Sequence, residues 1–198
     1  MLITNSICYI LATDDRTVLR NMIKSLQVQS HRYWSMIALD MTSEGRLIQT
    51  VESAHDQRVR YVNSRSDGID ANNYPQLAAL AGSNDVVCAL KEGDFPLSHH
   101  AYTVCEAMAY NPAMDVVLCW SQTVKGHLST QVPITMQSPK DLSQLAIRRS
   151  KLLSIDDGEL YQHYIMRLMG NGRYFCVPNI TLICQHNIEI LWNPDLKI

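Results

Sequence analysis

Acidic side chains recur in this sequence at the points where apolar segments end. They follow four such segments in turn, as Asp15, Asp40, Asp67 with Asp70, and Asp94. The carboxyl ends of parallel strands lie along one edge of an α/β sheet, and ligands bind at that edge. Several carboxylates on one edge therefore predict a polar pocket for a ligand that carries hydrogen-bond donors and a cation.

The fourth of these segments, Val86–Leu97, is the one around which the prediction is built. It begins as the apolar run V-V-C-A-L, which is typical of a strand buried on both faces, and it continues as K-E-G-D. Asp94 is therefore the first candidate for contact with a metal or a phosphate. The alternative is a turn aspartate that hydrogen-bonds its own backbone, with Gly93 supplying a positive φ angle.

Strand and helix patterns alternate on both sides of that segment. Apolar runs predict strands over residues 6–11, 34–39, 59–62, 86–90, 115–120, 174–177 and 180–184. Helical periodicity predicts helices over residues 17–29, 47–53, 75–81, 99–110, 142–153 and 158–169. Residues 125–139 contain two prolines and show little helical periodicity, which indicates either a flexible excursion of the chain or a pair of short strands. The alternation predicts a single α/β domain with a Rossmann-like, mostly parallel sheet and helices on both faces.

The length, charge and hydropathy of the chain exclude several classes of protein. A chain of 198 residues suits one domain, and a net charge of −2 argues against a nucleic-acid binder. No apolar run approaches the ~20 residues that span a bilayer, and the N-terminus lacks the pattern of a signal peptide. We therefore expect a cytoplasmic protein, at most peripheral to a membrane. The adjacent Arg148 and Arg149 could meet a phosphate or an anionic lipid, although two such residues on a helix are more often solvated.

Five segments in a fixed order resemble one known family. They are S-I-C-Y-I-L-A-T-D-D-R, L-R-N-M-I-K-S-L-Q-V-Q-S-H-R-Y-W, S-D-G-I-D-A-N-N, L-K-E-G-D-F and Y-I-M-R-L-M-G-N-G-R-Y-F-C-V-P. Together, from roughly Ser6 to His186, they resemble the family-2 glycosyltransferases with the GT-A fold. In that family the opening strand usually ends Pro-Thr-Tyr-Asn-Arg, and an L-N-S-G-D or L-D-x-D-D segment carries the metal-binding acid.

The resemblance implies a function and a set of site residues. The donor would be a UDP- or GDP-sugar bound by residues 1–97, and the acceptor a saccharide or lipid-linked molecule bound by residues 98–198, in the synthesis of surface polysaccharides or glycoconjugates. The implied nucleotide-binding residues are Thr13, Asp15, Asp40, Asp67 and Lys91. The implied ligands of Mn²⁺ or Mg²⁺ are Asp94, Glu92 and His186. A catalytic base is implied at Glu159 or Asp157.

Several positions depart from the family pattern. Met41 stands where members often have a second acid, and Lys91 and Gly93 occupy the D-x-D slot. The Glu-Asp pair that usually supplies the base aligns with Leu160-Tyr161, so that Glu159 is one residue early. On a helix this shift turns a side chain by ~100°.

Three explanations remain open on the sequence. The first is an enzyme with a reduced metal shell, or one in which Lys91 neutralises the diphosphate without a metal. The second is a catalytically silent scaffold that binds a partner or a glycan, with the apolar tail around Leu191-Trp192 contacting a second copy or a partner subunit. The third is a nucleotidyltransferase, but that class usually has a glycine-rich loop after the first strand, and residues 12–16 contain no glycine.

Overall fold

The computed structural model describes residues 3–125, 128–132, 145–155, 164, 167–168 and 171–185. Within these residues the strands are β1 (Ile7–Thr13), β2 (Trp34–Asp40), β3 (Val59–Asn63), β4 (Val86–Leu90), β5 (Asp94–Pro96), β6 (Val116–Lys125), β7 (Leu128–Val132), β8 (Leu145–Arg148) and β9 (Tyr174–Gln185). The helices are α1 (Arg16–Gln27), α2 (Ile48–Ser53), α3 (Tyr74–Leu80), α4 (His100–Tyr110) and α5 (Arg149–Leu152). None of the helices in this part of the chain is long and apolar enough to cross a membrane.

Two predicted elements fall wholly or mainly outside the described residues. The predicted helix over residues 158–169 is described only at Tyr164, Arg167 and Leu168, which are helical. The apolar tail around Leu191-Trp192 lies outside the described residues altogether. The proposed partner contact through that tail therefore stays a prediction.

The strands form one mixed sheet in which most paired residues belong to parallel ladders. The strand order is β3-β2-β1-β4-β8-β6-β9-β5, and β7 forms a hairpin with β6. The strands β3, β2, β1 and β4 run parallel, as do β6 and β9. The antiparallel neighbours are β8 against both β4 and β6, and β5 against β9. The predicted α/β class is confirmed. Within residues 125–139, for which an excursion or a pair of short strands was predicted, the described residues Leu128–Val132 form one strand, β7, paired with the end of β6.

Alternate residues of β1 belong to two separate hydrophobic clusters, one on each face of the sheet. Ile7, Tyr9 and Leu11 pack in the cluster that includes residues of α1 and α4, whereas Cys8 and Ile10 pack in the cluster that includes residues of α3 and α5. All five side chains are at most 2% exposed. Because successive strand residues point to opposite faces, β1 is covered by helices on both sides, and its continuous apolar run reflects this.

The predicted helix over residues 142–153 is wrong at residues 145–148. Residues Leu145–Arg148 form β8, and only Arg149–Leu152 is helical. Leu145, Ala146 and Ile147 are buried, and β8 pairs with β4 on one side and β6 on the other. Pairing with two neighbouring strands therefore overrides the helical pattern of the local sequence.

The last two predicted strands are one continuous strand, β9, with an irregular register. The register against β6 shifts between Cys119 and Trp120, where two residues of β9 are skipped. The skipped residues are Pro178 and Asn179, and proline lacks the N–H that a regular ladder requires. The break between the two predicted strands thus corresponds to a bulge inside one strand.

Arg148 and Arg149 both bind backbone carbonyl groups near the ends of helices. The Arg148 guanidinium donates to three carbonyl oxygens at and beyond the end of α4, those of Met108, Asn111 and Met114, at 3.0, 3.3 and 2.5 Å. The Arg149 Nε donates to the carbonyl oxygen of Ala78 in α3 at 2.7 Å. Carbonyl groups in the last turn of a helix lack intrahelical partners, and a cation there is favourable. Arg148 therefore fastens the end of α4 to β8, and Arg149 joins α3 to α5.

Candidate functional site

The strands β1, β2 and β3 end side by side at the carboxyl edge of the sheet. Thr13 at the end of β1 is paired with Asp40 at the end of β2, and Asp40 is paired with Asn63 at the end of β3. The Met41 N–H extends the ladder by donating to the Thr13 carbonyl oxygen at 3.1 Å. The strand β4 lies on the other side of β1 and runs in the same direction. The loops that carry the predicted acidic residues therefore share one edge, as the sequence predicts.

Hydrogen bonds of Thr13 join the turn after β1 to the turn after β4. The Thr13 side chain is buried, and its hydroxyl donates to Glu92 Oε1 at 2.5 Å. The same hydroxyl oxygen accepts the Asp15 N–H at 3.1 Å. Thr13, a predicted nucleotide-binding residue, thus fixes the relative position of the two turns and holds the carboxylate of the exposed Glu92 at the edge.

Asp15 begins α1 as its N-cap. Its Oδ1 accepts the N–H groups of Thr17 and Val18 at 2.6 and 3.2 Å. These are two of the backbone donors that the first turn of a helix leaves without partners, and such a cap contributes about 1 kcal/mol to stability. The predicted nucleotide-binding carboxylate is therefore exposed at the site edge and already has a structural role.

Asp40 is a fully buried carboxylate that holds the loop between β2 and α2. Its oxygens accept the Thr42 N–H at 2.8 Å, the Thr42 hydroxyl at 2.7 Å, and the Leu47 N–H and the Tyr61 hydroxyl at 3.1 Å each. Burial by itself raises the pKa of Asp40, but these hydrogen bonds together outweigh it, and the pKa lies below its ordinary value. Asp40 is thus built to stay ionised and to shape the loop, while its assignment to the nucleotide stays a prediction.

Asp67 lies in a loop that Asn63 organises. The Asn63 N–H donates to Asp67 Oδ2, and the Asn63 amide donates to the Thr42 carbonyl oxygen, both at 3.1 Å. The Asn63 Oδ1 accepts the N–H groups of Arg65 and Ser66. The loop after β3 is therefore tied to the loop after β2. Sequence reasoning missed Asn63, although its place at the end of a predicted strand was a usable signal.

Residues Lys91 to Asp94 form a tight turn at the end of β4. The Lys91 N–H donates to Asp94 Oδ2 at 2.9 Å, and the Asp94 N–H donates back to the Lys91 carbonyl oxygen at 3.1 Å. Gly93 has a φ angle of +87°, which suits glycine, and Asp94 is only 4% exposed. The turn-aspartate alternative therefore describes the local geometry, and the exposed side chains of this turn are those of Lys91 and Glu92.

The described residues do not make up the predicted metal site. A divalent cation in such a site takes several oxygen or histidine ligands. Over the parts of the chain that the structure describes, no group of three His, Cys, Asp or Glu side chains is placed to hold a metal ion. His186, the third predicted ligand, lies outside those parts, as do the predicted bases Asp157 and Glu159.

An open cleft of about 560 Å³ lies beside the start of α1. Its lining residues are two acids and two arginines, Asp14, Asp15, Arg16 and Arg46. The Arg16 Nε donates to the Arg46 carbonyl oxygen at 3.0 Å, which joins the β1–α1 turn to the β2–α2 loop. The Arg46 guanidinium forms an exposed ion pair with Glu44 at 2.6 Å. The sequence analysis assigned no role to either arginine. Arg16 ends the segment that resembles the family's opening strand and was a usable signal, whereas Arg46 belongs to no quoted motif.

Comparisons with known proteins show similarity in structure. No protein-family model matches the sequence, and no curated protein matches it. A fragment of S. aureus TarS, residues 1–349, in complex with UDP-GlcNAc gives a TM-score of 0.70 at 14% identity, over 92% of this chain and 59% of that one. The same fragment in complex with UDP gives 0.68 at 14% identity, over 91% and 60%.

A third similar structure comes from another organism. It is the mannosyltransferase PcManGT from Pyrobaculum calidifontis in complex with GDP-Man and Mn²⁺, with a TM-score of 0.59 at 15% identity over 93% of this chain and 58% of that one. This chain therefore spans about 60% of the length of these neighbours. At such identities the similarity establishes the fold, and this chain has the GT-A-type α/β fold that its sequence predicts.

Proposed function

We propose that this protein transfers a sugar from a UDP- or GDP-linked donor to a hydroxyl group of an acceptor. The observation that carries the proposal is the shared edge at which β1, β2 and β3 end. At this edge Thr13 joins the turn of Asp15 to Glu92, and an open cleft lined in part by Asp15 lies beside it. In doubly wound α/β sheets, nucleotide ligands bind at such an edge, beside the carboxyl ends of the strands. The cleft offers both carboxylates and guanidinium groups, which complement the hydroxyl groups and the phosphates of a nucleotide sugar.

The structural neighbours support the class of ligand. The neighbours named above were solved with UDP, with UDP-GlcNAc, and with GDP-Man and Mn²⁺. UDP, UDP-GlcNAc and GDP-Man each contain a nucleoside diphosphate. A nucleoside-diphosphate sugar is therefore the first ligand to test on this chain.

The proposed reaction is a displacement at the anomeric carbon of the donor sugar. The acceptor oxygen forms the new glycosidic bond while the bond from the sugar to the diphosphate breaks, and the hydroxyl proton passes to a base. We propose Glu159 or Asp157 as that base, and both lie outside the described residues. Because the described residues do not complete a metal site, no step is assigned to Mn²⁺ or Mg²⁺.

We propose that residues 1–198 form one domain, in which residues 1–97 hold the donor and residues 98–198 hold the acceptor. Both hydrophobic clusters draw residues from the two halves, which supports a single domain. The proposed acceptor is a saccharide or a lipid-linked molecule in surface polysaccharide or glycoconjugate synthesis.

Isothermal titration calorimetry with UDP and GDP tests the proposal. Each nucleotide is titrated in Mn²⁺ and again in EDTA, with AMP as the control, since it has a nucleoside but no diphosphate. We expect one of the two diphosphates to bind with a Kd in the micromolar to low millimolar range, as nucleotide sites of modest area do (about −4 to −8 kcal/mol). No heat of binding for either nucleotide in either buffer would refute the donor site.

A catalytically silent binding module is the second candidate. The observation that favours it is the buried Asp94, whose carboxylate accepts a backbone N–H of its own turn. Release of UDP or GDP from the corresponding sugar nucleotides, measured with and without candidate acceptors, separates the two. An enzyme releases the nucleotide faster in the presence of an acceptor, whereas a silent module binds the sugar nucleotide weakly or not at all and leaves it intact.

A further inference from the structure

We infer that Arg16 and Arg46 hold the diphosphate of the donor in the cleft beside α1, and that this contact needs no divalent cation. The inference rests on the proposed function and adds which residues neutralise the ligand. This chain and one of its structural neighbours differ in the groups that they offer to a metal ion. The fold neighbour PcManGT was solved with Mn²⁺, whereas the described residues of this chain contain no group of three metal-binding side chains.

Three carboxylates at this edge already accept hydrogen bonds from the protein. Asp15 Oδ1 caps α1, Asp94 Oδ2 accepts the Lys91 N–H, and Glu92 Oε1 accepts the Thr13 hydroxyl. A cation bound to these oxygens would share them with those donors, and the described side chains do not form a set of three ligands. A cationic side chain is therefore the partner that the described residues offer to the diphosphate.

Arg46 carries a partner that a phosphate can replace. Its guanidinium contacts Glu44 at 2.6 Å, and the side chains of both residues are more than half exposed, at 58% and 63%. Exposed ion pairs of this kind contribute little to stability, about 0–1 kcal/mol. A diphosphate oxygen accepts from guanidinium in the same geometry as a carboxylate oxygen does. Glu44 thus occupies, in the free protein, the position that the diphosphate would take.

Arg16 brings a second guanidinium to the same cleft. Its Nε is fixed by the Arg46 carbonyl oxygen at 3.0 Å, and the terminal nitrogens of Arg16 have no other hydrogen-bond partner among the described residues. Arg16 is also the first residue of α1, whose positive helix end favours an anion. Asp14 and Asp15, which share the cleft, can accept from the ribose hydroxyl groups or from base N–H groups. The lining as a whole therefore complements a nucleoside diphosphate.

Nucleotide titrations in EDTA test this inference on the full chain. We expect Arg46→Gln and Arg16→Gln each to weaken binding of UDP or GDP about tenfold, the loss expected for a hydrogen bond to a charged group. Glu44→Gln should act in the opposite direction and tighten binding about threefold, because it removes the competing carboxylate. Arg32→Gln is the matched control, since Arg32 is exposed and precedes β2, at the opposite edge of the sheet. Its affinity should equal that of the wild type.

The outcomes separate this inference from the proposed function. Binding in EDTA that falls in both arginine variants and rises in Glu44→Gln supports the cleft. Binding that appears only with Mn²⁺, or that both arginine variants leave unchanged, overturns the inference and leaves the donor site standing. No binding in either buffer overturns the proposed function itself. Because a gain of affinity cannot come from misfolding, the Glu44→Gln result holds even if an arginine variant is unstable.

Discussion

Buried and exposed polar side chains of this protein differ in whether they can exchange one hydrogen-bond partner for another. Asp40, the partly buried Arg148 and the pair of Tyr9 and His100 form hydrogen bonds with partners fixed by strands and helices, although His100 Nε2 has none among the described residues. Arg46, by contrast, meets an exposed carboxylate. A buried polar group that loses its partner costs the full desolvation penalty, whereas an exposed one turns to water or to a ligand. The buried set therefore specifies the fold, and the exposed set is available for binding.

The Tyr9 and His100 pair is the clearest buried case. The Tyr9 hydroxyl and His100 Nδ1 lie 2.7 Å apart, and neither side chain is exposed. Burial, with a smaller effect from neighbouring His99, lowers the pKa of His100 to about 3. Burial also raises the pKa of Tyr9 well above its ordinary value. Both groups therefore stay neutral over the whole physiological range.

The largest expected effect is the pH dependence that His100 gives to stability. An unfolded histidine binds a proton near pH 6.5, whereas folded His100 stays neutral down to about pH 3. The unfolded state therefore binds more protons in this window, and the free energy of unfolding falls as the pH drops below 6.5. Between pH 7 and pH 4 we expect the wild type to lose about 3 kcal/mol more than His100→Asn, which cannot take up this proton.

Urea unfolding of both proteins at several pH values measures this difference. His100→Asn leaves a small cavity, and its free energy of unfolding is therefore lower at pH 7. The proton uptake of His100 is measured by how steeply the free energy of unfolding changes with pH. Parallel curves for the two proteins would contradict the prediction.

A smaller effect is expected from removing the arginine that binds the end of α4. Arg148→Ala leaves three backbone carbonyl groups without this donor, and we expect the free energy of unfolding to fall by about 2–3 kcal/mol. Arg149→Ala is the matched comparison, because it removes a donor to one carbonyl group and should cost about 1 kcal/mol. Denaturant titration gives both values. An equal loss for the two variants would show that the number of carbonyl contacts does not set the cost.

The smallest effect is expected at Thr13, a buried residue whose hydroxyl contacts the exposed Glu92. Thr13→Val keeps the shape of the side chain but leaves the Asp15 N–H without its acceptor, at a cost of about 1 kcal/mol. Because Glu92 is exposed, water replaces the lost hydroxyl there. Thr13→Ser keeps the hydroxyl and is the control. Calorimetry should give a lower melting temperature for Thr13→Val than for Thr13→Ser. Equal melting temperatures would show that the hydrogen bonds of the Thr13 hydroxyl do not contribute to stability.

The first half of the fold could be predicted because β1, β2 and β4 are largely apolar. Runs such as S-I-C-Y-I-L have no alternating polar positions, and this is what burial on both faces of a parallel strand requires. The second half was harder to predict from the sequence. Its strand β8 has the local pattern of a helix and becomes a strand only by pairing with β4 and β6. Pairing between distant segments leaves no local signal in the sequence.

The edge that carries the candidate site was predictable from the strand order, and the contacts at that edge were less so. Strand order alone places Thr13, Asp40 and the turn after β4 on one edge. The sequence could not show that Asp40 would accept four hydrogen bonds from Thr42, Leu47 and Tyr61, because these donors come from a loop and a neighbouring strand. It also gave no sign of Arg46, which reaches the cleft only through the path of the β2–α2 loop.

The position of β8 has a consequence for how the chain folds. Although β8 comes late in the chain, it completes the hydrogen bonding of β4, which lies some sixty residues earlier. Closing so long a loop slows folding, and during synthesis β4 stays an open edge that can pair with other chains. A fragment of residues 1–97 would keep that edge exposed, so it should aggregate when it is expressed alone.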